Sequence, residues 1–163
     1  MRSLLRRFAL AALIAPAAAF GVAMVASPAE AAPAAVQEQS LQTEITRLTN
    51  TQRTTHGCAA VTVNVQLTAA AVDHSAWMAQ TGTFSHTGSA GSTFVVRARA
   101  AGFARPAGEN IAWGYRTAAE VVNAWMKSPG HRANILNCKA TTVGVGAVRN
   151  AAGAPYYTQV FGF

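Results

Sequence analysis

The hydrophobic period of this chain changes once, and that change limits the fold more than any other feature. Leu41, Ile45, Leu48 and Gln52 fall at helical spacing through residues 37–55. Leu67, Ala70, Ala71, His74, Ala76, Trp77 and Met78 do so within a glycine-free stretch that ends at Gly82. Beyond residue 142 the pattern alternates instead: Val143, Val145 and Ala147 are separated by small or polar residues, turn residues run from Arg149 to Pro155, and Tyr156 to Phe163 reads as a returning strand. Helices first and an antiparallel hairpin last predict an α+β domain whose helices must cover a small sheet. A length of 163 residues allows one such domain with a real core.

The element ends are marked locally. Gly57 stands where a left-handed stop closes the first helix, and Gly102 stops a short third helix expected over Ser92–Ala101. Thr117-Ala118-Ala119-Glu120 is a capping box opening a fourth helix, whose apolar face is Val121, Val122, Trp125 and Met126 and which breaks at Ser128-Pro129-Gly130.

At the other end Arg2, Arg6 and Arg7 precede an uncharged run from Phe8 to Ala26, and Ala29-Glu30-Ala31 offers small residues for cleavage. A secretory signal over residues 1–31 is therefore expected, then a short Ala/Pro tether over 32–38 and the domain over 39–163, with no transmembrane span left after cleavage. Removing Arg2, Arg6, Arg7 and Glu30 takes Lys plus Arg from 13 to 10 and Asp plus Glu from 6 to 5, a net charge of +5. The remaining cations are spread from Arg47 to Arg149 without a basic run, so the chain offers no arm for nucleic acid. In an oxidising exterior Cys58 and Cys138 read most economically as one disulfide, the alternative being two buried thiols.

Of the four histidines, His56 at the end of the first helix and His74 inside the second read as structural. His86, in Phe84-Ser85-His86, and His131, just after Ser-Pro-Gly, are expected on turns, as is Glu109 in Gly108-Glu109-Asn110. Two imidazoles and one carboxylate are enough for a divalent metal with an open position or for acid–base work. No HExxH, CxxC, GxSxG or phosphate-cradling loop is present. The bland alternative pairs Glu109 with a nearby arginine and has each histidine pin its own loop.

Taken in order, these pieces resemble the CAP superfamily (cysteine-rich secretory, antigen-5 and pathogenesis-related proteins) in its bacterial SCP-like form. The matching pieces include Phe84-Ser85-His86, Ala101-Gly102-Phe103, Gly108-Glu109-Asn110-Ile111-Ala112, Ser128-Pro129-Gly130-His131-Arg132, Gly144-Val145-Gly146 and Tyr157-Thr158-Gln159. The resemblance implies a three-layer αβα sandwich of the CAP type with a small antiparallel sheet and a central cleft. It carries His86 and Glu109 onto two members of the family's cleft tetrad of two His and two Glu. Tyr156 stands where the eukaryotic forms have the second His, Ser128 where they have the helix-four Glu, and His131 belongs to the bacterial pattern.

The expectation is thus a secreted, extracellular or wall-associated monomer, more a binding module than an enzyme. Its cleft would be lined by His86, Glu109, His131, Ser128, Asn110 and Gln159, and would take a small ligand, a cell-wall component or a divalent ion (Zn, Ca or Mg) held by His86 and His131. Two alternatives stand beside it. One is a metal-dependent or His/Glu-based hydrolase, peptidase-like, drawing on His86, Glu109 and His131 with water, Ser85 or Ser128 as nucleophile. The other is lipid or sterol binding through Trp77, Trp113 and Trp125, though each tryptophan reads first as core or cleft wall.

Overall fold

A computed structural model of the chain describes residues 31–163. Five helices and four strands alternate along it: α1 (Ala31–Thr55), β1 (Thr62–Val63), α2 (Val65–Thr81), α3 (Phe94–Ala100), β2 (Pro106–Trp113), α4 (Ala118–Lys127), α5 (Pro129–Ile135), β3 (Thr142–Arg149) and β4 (Pro155–Gly162). The strands form one sheet in the order β1-β3-β4-β2. β3 and β4 are the expected hairpin, β2 pairs antiparallel with the other side of β4, and the two-residue β1 adds a parallel edge. The sheet is therefore mixed where an antiparallel one was expected.

Helices cover both faces, and the strand sequences explain how. In β3 the residues alternate between bulky and absent side chains. Val143, Val145 and Ala147 face α1 and α4 in the main core, whereas Gly144 and Gly146 face α2. A methyl group on Gly144 would lie 2.1 Å from the backbone of Leu67, and one on Gly146 would lie 2.3 Å from the carbonyl of Ala71. Glycine here permits a helix backbone to rest directly on a strand. β4 is buried along its whole length because it is central and covered twice. Tyr157 and Phe161 join the α1/α4 core, while Val160 packs with Leu67 and Ala98 under α2 and α3.

On the α1 side Trp125 is 1% exposed and donates its indole N–H to the Ile111 carbonyl at 3.0 Å, making it a core residue as the capped helix predicts. The capping box is present, with Thr117 Oγ1 accepting from the Glu120 amide and Glu120 Oε2 from the Thr117 amide. Arg53 is wholly buried without a carboxylate. Its guanidinium donates to the carbonyls of Ala59, Ile135, Asn137 and Ala140, which ties α1 to the end of α5. Cys58 and Cys138 form a disulfide beside that tie. Closing a loop of this size removes about 4 to 5 kcal/mol of unfolded-chain entropy in the simple chain model.

Three local expectations change. The signal segment up to Glu30 lies outside the described residues, and the Ala/Pro stretch read as a tether belongs to α1 in the structure, where Pro33 occupies the first turn and its missing N–H has no helical acceptor to lose. Residues 129–135 continue into α5 instead of a turn, because Pro129 is well suited to a first helical position. Glu109 lies on β2, not in a turn. Its neighbour Gly108 is glycine for contact, since a methyl there would sit 2.6 Å from Asn134 Oδ1.

Candidate functional site

The helix α2 ends at Gly82, whose φ of 68° turns the chain out of the helix and into the loop that carries His86. Two residues fix that loop from behind. His74, 1% exposed on α2, has Nε2 2.9 Å from the Ser85 carbonyl. Arg97, on α3, donates Nη1 to the Ser92 carbonyl at 2.7 Å and Nη2 to the His86 carbonyl at 3.1 Å. His56, by contrast, only closes its own helix on the Gln52 carbonyl at 2.7 Å.

Arg97 Nη2 also meets Glu109 Oε2 at 2.6 Å, and His86 Nδ1 donates to Glu109 Oε1 at 2.9 Å. The Glu109 side chain is 1% exposed, while that of His86 is 55% exposed. A carboxylate this deep is costly to bury unless both oxygens are paired, which they are. The pairing also sets the imidazole tautomer: with Nδ1 carrying the proton toward Glu109, Nε2 is left as the accepting atom.

Asn134 of α5 donates to the Glu109 carbonyl at 3.0 Å and to Asn110 Oδ1 at 2.9 Å. Asn110 donates to the His131 carbonyl at 3.2 Å and to Gln159 Oε1 at 3.1 Å, and Gln159 reaches Thr49 of α1 at 2.9 Å. Asn110 and Gln159, expected on the cleft wall, are fully buried. They form a polar ladder across one face of the sheet that holds His131 in place from its backbone.

The His131 ring lies 6.5 Å from the His86 ring, centre to centre, at 45°. Among the described residues neither of its ring nitrogens has a side-chain or backbone partner. Burial, reinforced by the nearby His86, holds its pKa below the ordinary imidazole value. His131 forms one end of a cavity of about 280 Å³ walled also by Phe84, Ile111, Trp113, Tyr115 and Ser128. Trp113 is 54% exposed and stacks on Tyr156 at 6.0 Å, so a residue read as core or cleft wall is cleft wall. A loop after α2, the strand β2 and the helix α5 thus place His86 against Glu109 and the His131 ring near that of His86, with Ser128 and His131 lining one cavity. The pairing of Glu109 with a nearby arginine is the one the alternative reading expected, and the structure makes it Arg97. What sequence reasoning missed is Asn134 as the clamp on β2, and Phe84 and Tyr115 as walls. Only the half-exposure of those rings identifies them, and that is a tertiary property.

The donor set does not suit a resident divalent ion. Both oxygens of Glu109 are engaged, so only two imidazoles remain, and a tetrahedral zinc needs its protein ligands about 2 Å away. Among the described residues no group of three or more His, Cys, Asp or Glu side chains is placed to share an ion. Tyr156 is 3% exposed and occupied by Trp113.

The model of the CAP, or cysteine-rich secretory protein, family matches residues 46–161. An uncharacterized protein of Bacillus subtilis, YkwD, is 36% identical over 131 residues, which are 80% of this chain and 49% of that one. The crystal structure of an extracellular protein containing an SCP domain from Bacillus anthracis superposes with a TM-score of 0.74 at 28% identity, covering 83% of this chain and 43% of the other. An outer surface protein of Borrelia burgdorferi shares the fold at a TM-score of 0.64 and 22% identity, covering 76% of this chain and 90% of its own. A second Bacillus subtilis relative, the uncharacterized membrane protein YlbC, is 34% identical over 119 residues, 72% of this chain and 33% of that one, so the chain spans less than half the length of either.

Proposed function

Because this chain belongs to the CAP, or cysteine-rich secretory protein, family, we propose that it acts outside the cell as a binding module that takes a small ligand into the aromatic cleft beside His86 and His131. The leader-like N-terminus and the disulfide agree with an extracellular place, as does the Bacillus anthracis relative described as extracellular. Among the described residues no helix is long and apolar enough to cross a membrane. The observation that carries the reading is the unpartnered His131 ring set with half-exposed aromatic rings at one cavity, with the His86 ring 6.5 Å away, the usual composition of a ligand site: apolar walls and a few convergent polar atoms.

Carbon-detected NMR of the histidine rings and the Trp113 indole during a fragment screen tests it. Binders should move His131 and Trp113 together and lose affinity in a His86→Ala, His131→Ala double variant. Binders that perturb only surfaces remote from both rings defeat the reading. Calorimetry with zinc, calcium and magnesium should give the same trace for wild type and double variant; heat dependent on the histidines would restore an ion as the ligand.

A hydrolase is the second reading, supported by the His86–Glu109 pair, in which a buried carboxylate orients an imidazole with a free Nε2. Against a serine nucleophile, neither the Ser85 nor the Ser128 hydroxyl hydrogen-bonds to an imidazole, His74 meeting only the Ser85 carbonyl, and Ser85 Oγ accepts from the Thr87 amide. Water would be the nucleophile. Peptide and ester substrates that turn over with wild type but not with Glu109→Gln would favour this reading, and equal rates would retire it.

A further inference from the structure

The cleft continues past Tyr115. Tyr115 and Ala124 also wall a more open hollow of about 580 Å³, whose other sides are Glu120, Asn123 and Lys127 on the outer face of α4. The combined trough thus runs from His131 across Tyr115 onto a helix surface. Along it Phe84, Trp113 and Tyr115 are 50%, 54% and 38% exposed. Trp113 has one face stacked on Tyr156, so its indole is a shelf held from beneath.

The charge of the trough differs from that of the protein. The chain carries 13 Lys and Arg against 6 Asp and Glu, yet the trough holds one of each sign, Lys127 and Glu120, and a half-buried His131 that burial keeps toward its neutral form. None of the arginines lines it. A polyanion would meet no arginine here and one lysine offset by Glu120.

The backbone beside the trough is also closed to peptide. An extended peptide gains affinity by adding to a sheet edge, and β2 is an edge strand. Two of its carbonyls already have side-chain donors: that of Glu109 takes Asn134 Nδ2 and that of Ile111 takes Trp125 Nε1, both at 3.0 Å. What remains for a ligand is flat aromatic faces with side-chain amide, hydroxyl and imidazole groups at their margins. A pyranose matches that surface, since its C–H face packs on an aromatic ring while its equatorial hydroxyls reach outward to such groups.

We propose that the trough binds a linear, uncharged glycan laid over Trp113 and Tyr115, with one end beside His131 and the other along α4 at Asn123. This rests on the binding reading of the cleft and specifies its ligand class.

The test is calorimetry and tryptophan emission with the chain cleaved of its leader, using N-acetylglucosamine and its β-linked oligomers as the probes. Affinity should rise with oligomer length and then level off, and emission should shift to the blue as the Trp113 shelf is covered. Tyr115→Ala and Asn123→Ala should weaken the longest oligomer about tenfold each, the order expected for losing one aromatic platform or one well-placed polar contact. Asn123→Ala should leave the single sugar unchanged, because Asn123 lines only the outer hollow, whereas Tyr115→Ala, at the wall the two hollows share, should weaken it as well. These variants keep the fold, because both side chains are exposed and Tyr157 bonds to the Tyr115 backbone carbonyl, which alanine retains. Affinity independent of length overturns the inference, as does stronger binding of an uncharged extended peptide or of phosphatidylcholine vesicles. If fragments still move His131 but no oligomer binds, the glycan falls and the cleft reading stands. Oligomer binding that survives loss of both imidazoles overturns both.

Discussion

Glu109 and His131 are neighbours in one site, yet they are surrounded in opposite ways. Around Glu109, Arg97 and His86 take both carboxylate oxygens, and Asn134 takes the backbone carbonyl. Around His131, the backbone is held by Asn110 while the ring faces an open cavity bordered by half-exposed aromatic side chains. A polar group satisfied by protein has little left to offer a ligand, and removing its partners leaves a buried charge exposed to the low-dielectric interior. The first region therefore holds shape and the second is available for contact. That contrast can be broken from either side.

The largest effect should come from the Glu109 side. Arg97→Met keeps the aliphatic stem and removes the cation, leaving a buried carboxylate with only an imidazole partner. The expected loss is about 3 to 5 kcal/mol in urea denaturation, the range for breaking a buried ion pair on one side. A loss below about 1 kcal/mol would mean that Glu109 is easily re-solvated and that the frame is not rigid. Next is Gly108→Ala, whose methyl would collide with Asn134 Oδ1 at 2.6 Å. Displacing Asn134 disturbs the Glu109 carbonyl and Asn110 together, and about 1 to 3 kcal/mol is expected from overpacking of this kind. The same measurement reads it.

The helices and the hairpin were legible because their signals are local. A capping box, a glycine stop and a two-residue alternation need no knowledge of the rest of the fold, and all three are found where the sequence puts them. Even Gly144-Val145-Gly146 was visible as a motif, although its reason, a helix backbone lying against the strand, was not. The errors share a cause. Gly108-Glu109-Asn110 reads as a turn from composition, but its glycine makes room for Asn134 and its asparagine belongs to a ladder ending at Thr49. β1 is two residues long, and parallel pairing with β3 across 80 positions leaves no mark in either segment. At the site His86, Glu109, Ser128 and His131 could be named from their unusual company. Asn110 and Gln159, expected on the cleft wall, are buried instead, since burial depends on which face of the strand a helix covers.

Acid gives a smaller, graded way to compare the regions. His74 supports the His86 loop through Ser85, and its pKa lies below the usual imidazole value. Burial is the main cause and Arg97 the second, opposed by Glu109 and by the bond to Ser85, with His86 adding to the depression. The unfolded chain then takes up this proton at a higher pH than the folded one. Stability from His74 is present in full above about pH 6.5 and is lost as pH falls toward the folded value, by at most about 1.4 kcal/mol per pH unit. His131, whose pKa is lowered too, acts in the same direction. Urea midpoints between pH 7 and pH 5 should slope downward with acid in wild type and less so in His74→Gln. An unchanged slope in the variant would shift the titration away from the loop support.

The smallest effect belongs to the His131 ring itself. His131→Gln removes an imidazole that has no protein partner and keeps the carbonyl that Asn110 uses. The expected change in stability is within about 0.5 kcal/mol, as for surface positions that carry no special contact. Ligand binding should nevertheless fall together with the NMR response of Trp113, because the substitution changes the polar end of the cavity and leaves its frame alone. A destabilisation equal to that of Gly108→Ala would put His131 inside the frame. The difference between the two regions would then be one of exposure only, and His86 Nε2 would be left as the imidazole nitrogen free to meet a ligand.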